Sequence, residues 1–413
     1  MQKINNSLII FLLMLSSCQN IDIMKQGKAD TQLDWAEGLI TIETAKEELA
    51  DKVLLLKDYL KSKNADAVIL GKERNIKWLT GGYFNSQIVL NKESGSVMLI
   101  VDKEGKLYLL SNNIEVRRSL EDGLEAMEFK PLVFDWYLPG RMPSVLDEVF
   151  GGLGKLLSDH PIADIKLLAD DFKELRYSLH PHELSRYRAL AMEVTKAVEE
   201  VCYALEQGMS EKQLEAMTAM ALWKRGILPT VLLMGADERI ADYRHALPSD
   251  ARFKEMAMIN VVAEKWNMPV AITRFVHFGP MDSKLEEKFK AVARVNALYH
   301  HNTRPGQNVR GIFGAMQGWY EQVGFRWEWE KHHQGGAIGY DDREYVIRPD
   351  LHAIVRENQA FAWNPTITGS KMEETILATS SGPEVLTKGY GKWPMFDVEI
   401  EGKNYPQPWV LIR

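Results

Sequence analysis

Two histidine-bearing segments carry the side chains best suited to moving protons. His332 and His333 open the run His332-His-Gln-Gly-Gly-Ala-Ile-Gly-Tyr340, a stretch dense in hydrogen-bonding groups and glycine. His245 follows Tyr243 and Arg244 and precedes Pro248. A neutral imidazole takes up and returns a proton near pH 7, as general acid–base catalysis requires. The guanidinium of Arg274 offers a carboxylate a bidentate fork, or else pairs with Glu373 or Glu374. Blander readings stand beside these: His332 and His333 as a satisfied pair in a loop, His277 as core or rim. Gly335 to Gly339 is glycine-rich but fits neither a phosphate-binding loop nor a dinucleotide fingerprint. Trp319, Trp327, Trp329 and Trp363 line a pocket or simply pack, and Glu328, Glu330 and Lys331 read as a solvated strand face.

The elements that must position these groups follow from length and pattern. The chain has 413 residues, enough for two domains, with 46% hydrophobic and 26% charged residues. That composition is globular. Lys+Arg number 50 against 57 Asp+Glu, a net charge of -7, so no basic excess exists to neutralise nucleic acid. The mean hydropathy of -0.24, with a single long apolar run, excludes a polytopic membrane protein.

That apolar run is a targeting signal. Lys3 precedes Leu8 to Leu15, a stretch too short to span a bilayer. It ends in Leu15-Ser16-Ser17-Cys18, which resembles a bacterial lipobox and implies acylation of Cys18. Residues 1–17 then form a lipoprotein signal peptide and 18–33 a tether, anchoring the protein in the cell envelope, at the outer membrane. With Cys18 lipidated, Cys202 has no partner, which leaves no disulfide framework; Cys202 reads as core.

Residues 34–178 read as a small α/β domain. A helix is predicted over 42–62, strands at 66–70, 86–90, 96–101, 106–110 and 166–169, and helices at 114–120 and 143–157. Residues 179–413 change character at His180-Pro181. A helix is predicted from Glu183 to Glu206, and Ser210-Glu-Lys-Gln213 is a capping box for the next. Strands follow at 257–262 and 270–276. Helices return from a cap at Ser283 to His301 and over 309–323, with strands at 361–363, 374–377 and 409–412. Helix-helix-strands occurs twice, which reads as an internal duplication.

The second half resembles the pita-bread superfamily of creatinase, aminopeptidase P, prolidase and methionine aminopeptidase, and the first half resembles the creatinase-type N-terminal domain. The resemblance rests on Arg74-Asn-Ile-Lys-Trp-Leu-Thr-Gly81, Glu183 with Arg186 and Arg188, Gly208 with Glu211, and His245 with Pro248. Thr273-Arg274, Arg304-Pro305-Gly306 and Lys371-Met-Glu-Glu-Thr-Ile-Leu-Ala-Thr379 complete it. It implies a mixed α/β (α+β) fold with a pseudo-twofold second domain. It also implies a homodimer in which one small domain caps the neighbour's pocket.

Peptidases of this superfamily hold two divalent metals on two Asp, one His and two Glu. The matching positions here are Asn260, Ala271, Gly336, Asn364 and Glu373, so only the last ligand remains. Two adjacent dications need several carboxylates for charge compensation. No resident cofactor is therefore expected, a divalent metal such as Mn or Co being the disfavoured alternative. Creatinase implies the remaining route, metal-free C–N cleavage through histidine. His245 then acts as base and acid, and Glu373 or Glu344 orients it or binds a cationic group. Arg244, Arg274, His332, His333, Asn260, Asn364 and Lys371 line the substrate site. The expectation is a lipid-anchored, metal-independent hydrolase of a small peptide or amino-acid derivative, with no nucleic-acid partner. Two alternatives remain: a metallo-aminopeptidase of Xaa-Pro type with substitute ligands among His332, His333, Glu344 and Glu373, and a non-catalytic binding protein on a peptidase fold.

Overall fold

Thr41 opens the first long helix: its hydroxyl accepts from the Thr44 N–H, and the Thr44 hydroxyl oxygen accepts in turn from the Thr41 N–H. This helix, α1 (Ile42–Lys63), stops at Asn64, which adopts the left-handed conformation at φ 50°. The computed structural model describes residues 33–413 except 91, 92 and 139. The expected signal peptide, Cys18 and all but the last residue of the expected tether lie outside the described residues.

The first domain is built on a six-stranded mixed sheet. In chain order its strands are β1 (Ala67–Lys72), β2 (Ser94–Asp102), β3 (Leu107–Asn112), β4 (Lys130–Phe134), β5 (Leu156–Ser158) and β6 (Lys166–Leu167). They lie side by side as β4-β3-β2-β1-β5-β6, with β1 antiparallel to β2 and parallel to β5. Two expectations need correction. Residues 86–90 form no strand: Ile88, Val89 and Leu90 are exposed, and the Gln87 side chain closes a local loop on the Leu90 carbonyl at 2.9 Å. The helix expected over 143–157 is α2 (Arg141–Phe150), which ends where Gly151 turns left-handed, leaving Leu156 to pair in the sheet.

The second domain begins at α3 (Pro181–Ala204), capped by His180, and continues through α4 (Glu211–Trp223), whose Ser210–Gln213 capping box forms as expected. Next come β7 (Leu228–Ala236), β8 (Met256–Lys265) and β9 (Met268–His277). The second half repeats that order: α5 (Ser283–Asn302), α6 (Val309–Gln322), then strands β10 (Gly335–Ile338), β11 (Tyr345–Val346) and β12 (Gln359–Trp363). The cap of α5 is Asp282 rather than Ser283, its carboxylate accepting from the Lys284 and Leu285 N–H groups. The chain ends with β13 (Thr366–Ile367), β14 (Ser370–Lys371), β15 (Glu374–Ala378), β16 (Glu384–Val385), β17 (Met395–Ile400), β18 (Lys403–Pro408) and β19 (Leu411–Ile412).

Two sheets matter for the site, β19-β9-β8-β7 and β11-β10-β12-β15-β16. They meet where the Thr273 N–H donates to the Glu373 carbonyl at 3.1 Å and Thr375 bonds both backbone groups of Ala271. Every residue of β9 and β15 is buried, so this junction is part of the core. The two domains join through a buried ionic network. Lys52 of α1 binds Glu48 at 2.8 Å and Glu183 of α3 at 2.7 Å. Arg186 pairs with Glu48, and the Tyr340 hydroxyl donates to Glu183 at 2.6 Å. Glu183 and Arg186, read from the sequence as superfamily markers, serve here as the domain junction.

Candidate functional site

Strand alternation places Ala271 and Thr273 on one face of β9, with Asn260 directly across from Thr273 on β8. The β14–β15 turn lays Lys371 and Glu373 over them. The Glu373 carboxylate accepts from the Thr273 hydroxyl at 2.9 Å and from the Asn260 side-chain amide. Lys371 Nζ lies 3.0 Å from the same carboxylate and donates to the Asn260 carbonyl oxygen at 2.8 Å. Arg343 reaches the other Glu373 oxygen at 3.6 Å. All of Asn260, Lys371 and Glu373 are at most 4% exposed. Burial pushes the Glu373 carboxyl up, but the Lys371 and Arg343 charges outweigh it and hold it below its ordinary value. Burial pulls the Lys371 ammonium down, with Glu373 opposing.

A dinuclear metal centre does not fit these residues. Of the five positions that the resemblance matches to metal ligands, Asn260 and Asn364 offer neutral amides, Ala271 and Gly336 offer no donor, and Glu373 is already neutralised by an ammonium. Gly336 is moreover fixed as glycine: a Cβ there would stand 2.1 Å from the Tyr345 carbonyl oxygen of the neighbouring strand. A histidine could not be housed without displacing β11. Asn364 is buried, its N–H donating to the Gln334 carbonyl at 3.2 Å while its side-chain oxygen has no partner among the described residues.

Three imidazoles gather beside this cluster. His245, on the loop after β7, places Nε2 3.2 Å from His332 Nε2. His333 stacks on His332 at 4.4 Å between ring centroids and lies 6.1 Å from His245. His332 is buried, whereas His245 and His333 are exposed. Burial, reinforced by the Lys371 charge, lowers His332 to about 2 and shifts His245 below its ordinary value. Burial and then Arg343 and Lys371 lower His333 to about 4. All three rings are therefore neutral at pH 7.

The sequence-predicted residues fall into two groups. His245, His332, His333, Asn260, Lys371 and Glu373 come together, with Arg343 at their edge. Arg244 and Arg274 do not offer a free fork. Arg274 is 1% exposed and pairs with Glu199 at 2.9 Å and Glu374 at 2.6 Å, so the substrate-binding expectation gives way to an internal ion pair. Arg244 donates to Glu328 at 3.0 Å and to the Thr368 hydroxyl at 2.7 Å. It pins the His245 loop to the β13–β14 turn. Glu344 forms an ion pair with Arg176 at 2.6 Å near the domain junction, which removes it as a partner for His245.

Glu328 and Arg343 also belong to the site. Glu328, expected on a solvated strand face, sits in a short 3-10 turn and holds both Arg244 and Thr368. Its acid-rich surroundings conceal it in the sequence. Arg343 adjoins Glu344 in the chain, and its reach to Glu373 comes from the fold.

Residues 185–380 match metallopeptidase family M24. An Xaa-Pro dipeptidase of Pyrococcus horikoshii is 22% identical over 360 residues, covering 82% of this chain and 97% of that protein. The crystal structure of the prolidase from Pyrococcus horikoshii OT3 superposes with a TM-score of 0.68 at 18% identity, over 83% of this chain and 99% of that one. The dipeptidase PepE from Mycobacterium ulcerans gives a TM-score of 0.70 at 15% identity, over 89% and 98%. The fold is that of the pita-bread prolidases, with an N-terminal domain preceding it.

Proposed function

We propose that this chain, whose residues 185–380 form a peptidase M24 domain homologous to Xaa-Pro dipeptidase, hydrolyses an amide or C–N bond in a small peptide or amino-acid derivative through His245. It does so without the dinuclear centre of its metal-dependent relatives. The observation that carries this reading is the buried Lys371–Glu373–Asn260 cluster, in which an ammonium stands between the first and last ligand positions.

The chemistry follows from charge. His245, neutral at pH 7, takes a proton from water as its oxygen attacks the scissile carbon, and returns that proton to the departing nitrogen as the C–N bond breaks. Lys371 and Arg343 supply positive potential for the oxygen that gains negative charge. The imidazole of His332, 3.2 Å away, fixes the ring. Because the His245 pKa lies below its ordinary value, kcat/KM is expected to rise with pH through that lowered pKa and to level off before neutrality. His245→Ala should cut turnover by about 10²- to 10⁴-fold with the fold intact by circular dichroism. Dipeptides with proline or N-methyl groups and guanidino acids form the substrate screen. A substrate turned over equally well by His245→Ala refutes the mechanism, and a screen that yields binding alone replaces it with recognition.

The same proposal places the protein on the cell envelope, at the outer membrane, through an acyl anchor at Cys18. Cys18→Ser should move it from the membrane to the soluble fraction. Retention on membranes in high salt refutes the anchor.

A further inference from the structure

We infer that His245, His332 and His333 form a mononuclear site for one borderline divalent cation of the zinc class, separate from the five ligand positions of the superfamily. Each ring offers a nitrogen, and these three atoms lie within 4.8 Å of one another. The closest pair is already at coordination spacing. Two nitrogens bound at about 2.0–2.1 Å to a tetrahedral zinc stand roughly 3.3 Å apart, and His245 and His332 are separated by 3.2 Å between their Nε2 atoms. His333, which is exposed, supplies the third nitrogen within the same 4.8 Å.

A second observation points the same way. His332 is 8% exposed, and the hydrogen-bonding contact its ring makes among the described residues is from Nε2 to the Nε2 of His245. Two neutral imidazoles that meet through these nitrogens share a hydrogen bond only if one of them donates, whereas a cation between them accepts both lone pairs. Imidazole donors without carboxylates select zinc, copper or nickel over magnesium or calcium. The nearby Lys371 and Arg343 charges oppose a dication; Glu373, 3.0 Å from Lys371, offsets one of them. The site is therefore expected to be selective for metals that bind nitrogen strongly.

Such a metal would take the lone pair of His245 that the proposed reaction uses, so occupancy switches the enzyme off. This consequence rests on the proposed function, while the site rests on geometry alone. The test uses the full chain, freed of metal by chelation and titrated with Co²⁺, whose visible absorption reports nitrogen coordination, and with Zn²⁺ in equilibrium dialysis. One equivalent should bind and raise the Tm of the parent. His332→Ala should abolish uptake, His333→Ala should weaken it at least tenfold, and Glu373→Gln, which uncovers the Lys371 charge, should weaken it without abolishing it. No uptake by the parent, or uptake unchanged by both histidine substitutions, overturns the site. Uptake lost in Glu373→Gln alone also overturns it, by placing the metal at the superfamily's positions. If the parent binds one equivalent and hydrolysis requires it, the site stands and the metal-independent reading falls. If no metal binds but His245→Ala destroys turnover, the reverse holds.

Discussion

At Lys371 the decisive property is charge. Its ammonium and the Glu373 carboxylate form a buried pair at 3.0 Å, each nearly inaccessible to water. Removing one member of such a pair leaves the other uncompensated, which is far costlier than exchanging both. Lys371→Met should therefore destabilise the protein by about 3–5 kcal/mol in urea unfolding. The double substitution Lys371→Met with Glu373→Gln should recover at least half of that loss. A single substitution costing under about 1 kcal/mol would show that Asn260, Thr273 and Arg343 hold the carboxylate unaided. The sequence revealed both residues but not their pairing. Two positions apart on a turn, they could have faced opposite ways, and only the packing of the turn onto β8 and β9 points both inward.

Among the elements, β10 has the least freedom. Gly335, at φ +95°, would carry a Cβ 2.1 Å from the Ala362 carbonyl oxygen, and Gly336 one at the same distance from that of Tyr345. The glycine pair lets β11 and β12 close on both sides of a strand four residues long. Gly336→His, the change that would nominally restore a superfamily ligand, should instead cost about 1–3 kcal/mol through overpacking and bring no metal uptake. A Tm equal to the parent's would mean that β11 yields freely. The glycines were visible in the sequence, but the reason for them was not, because it lies in carbonyls 27 and 9 residues further along the chain. The loop at 86–90 makes the complementary point. Its β-branched and apolar residues satisfied local propensity, yet both sides of β1 were already taken, by β2 and β5.

At the scale of the whole molecule, pH should govern stability through buried neutral histidines. His300 lies on α5 with no exposed surface, and neither ring nitrogen has a partner among the described residues. Burial lowers it to about 3. The unfolded chain binds a proton at this residue below about pH 6.5, whereas the folded one does not until near its lowered value. Stability is thus fully present above the unfolded pKa and is lost as pH falls toward the folded one. His300 alone should remove about 2 kcal/mol between pH 7.5 and 5. Urea unfolding at both pH values measures this, and His300→Leu should flatten the profile. An identical slope in the variant would assign the pH dependence to other groups.

Sequence alone determined the order of an N-terminal domain before the pita-bread one and most of the helices and strands, because periodicity and caps are local properties. It also brought forward His245, His332, His333, Lys371 and Glu373. Tertiary structure decided what each charged group does. Arg274 turned inward to Glu199 and Glu374, Arg244 became the clamp on the His245 loop, and Glu344 was taken by Arg176. Those partners lie 75 to 168 residues apart in the chain. A charge buried away from water must find its counter-charge in space, and no spacing along the sequence records which one it finds.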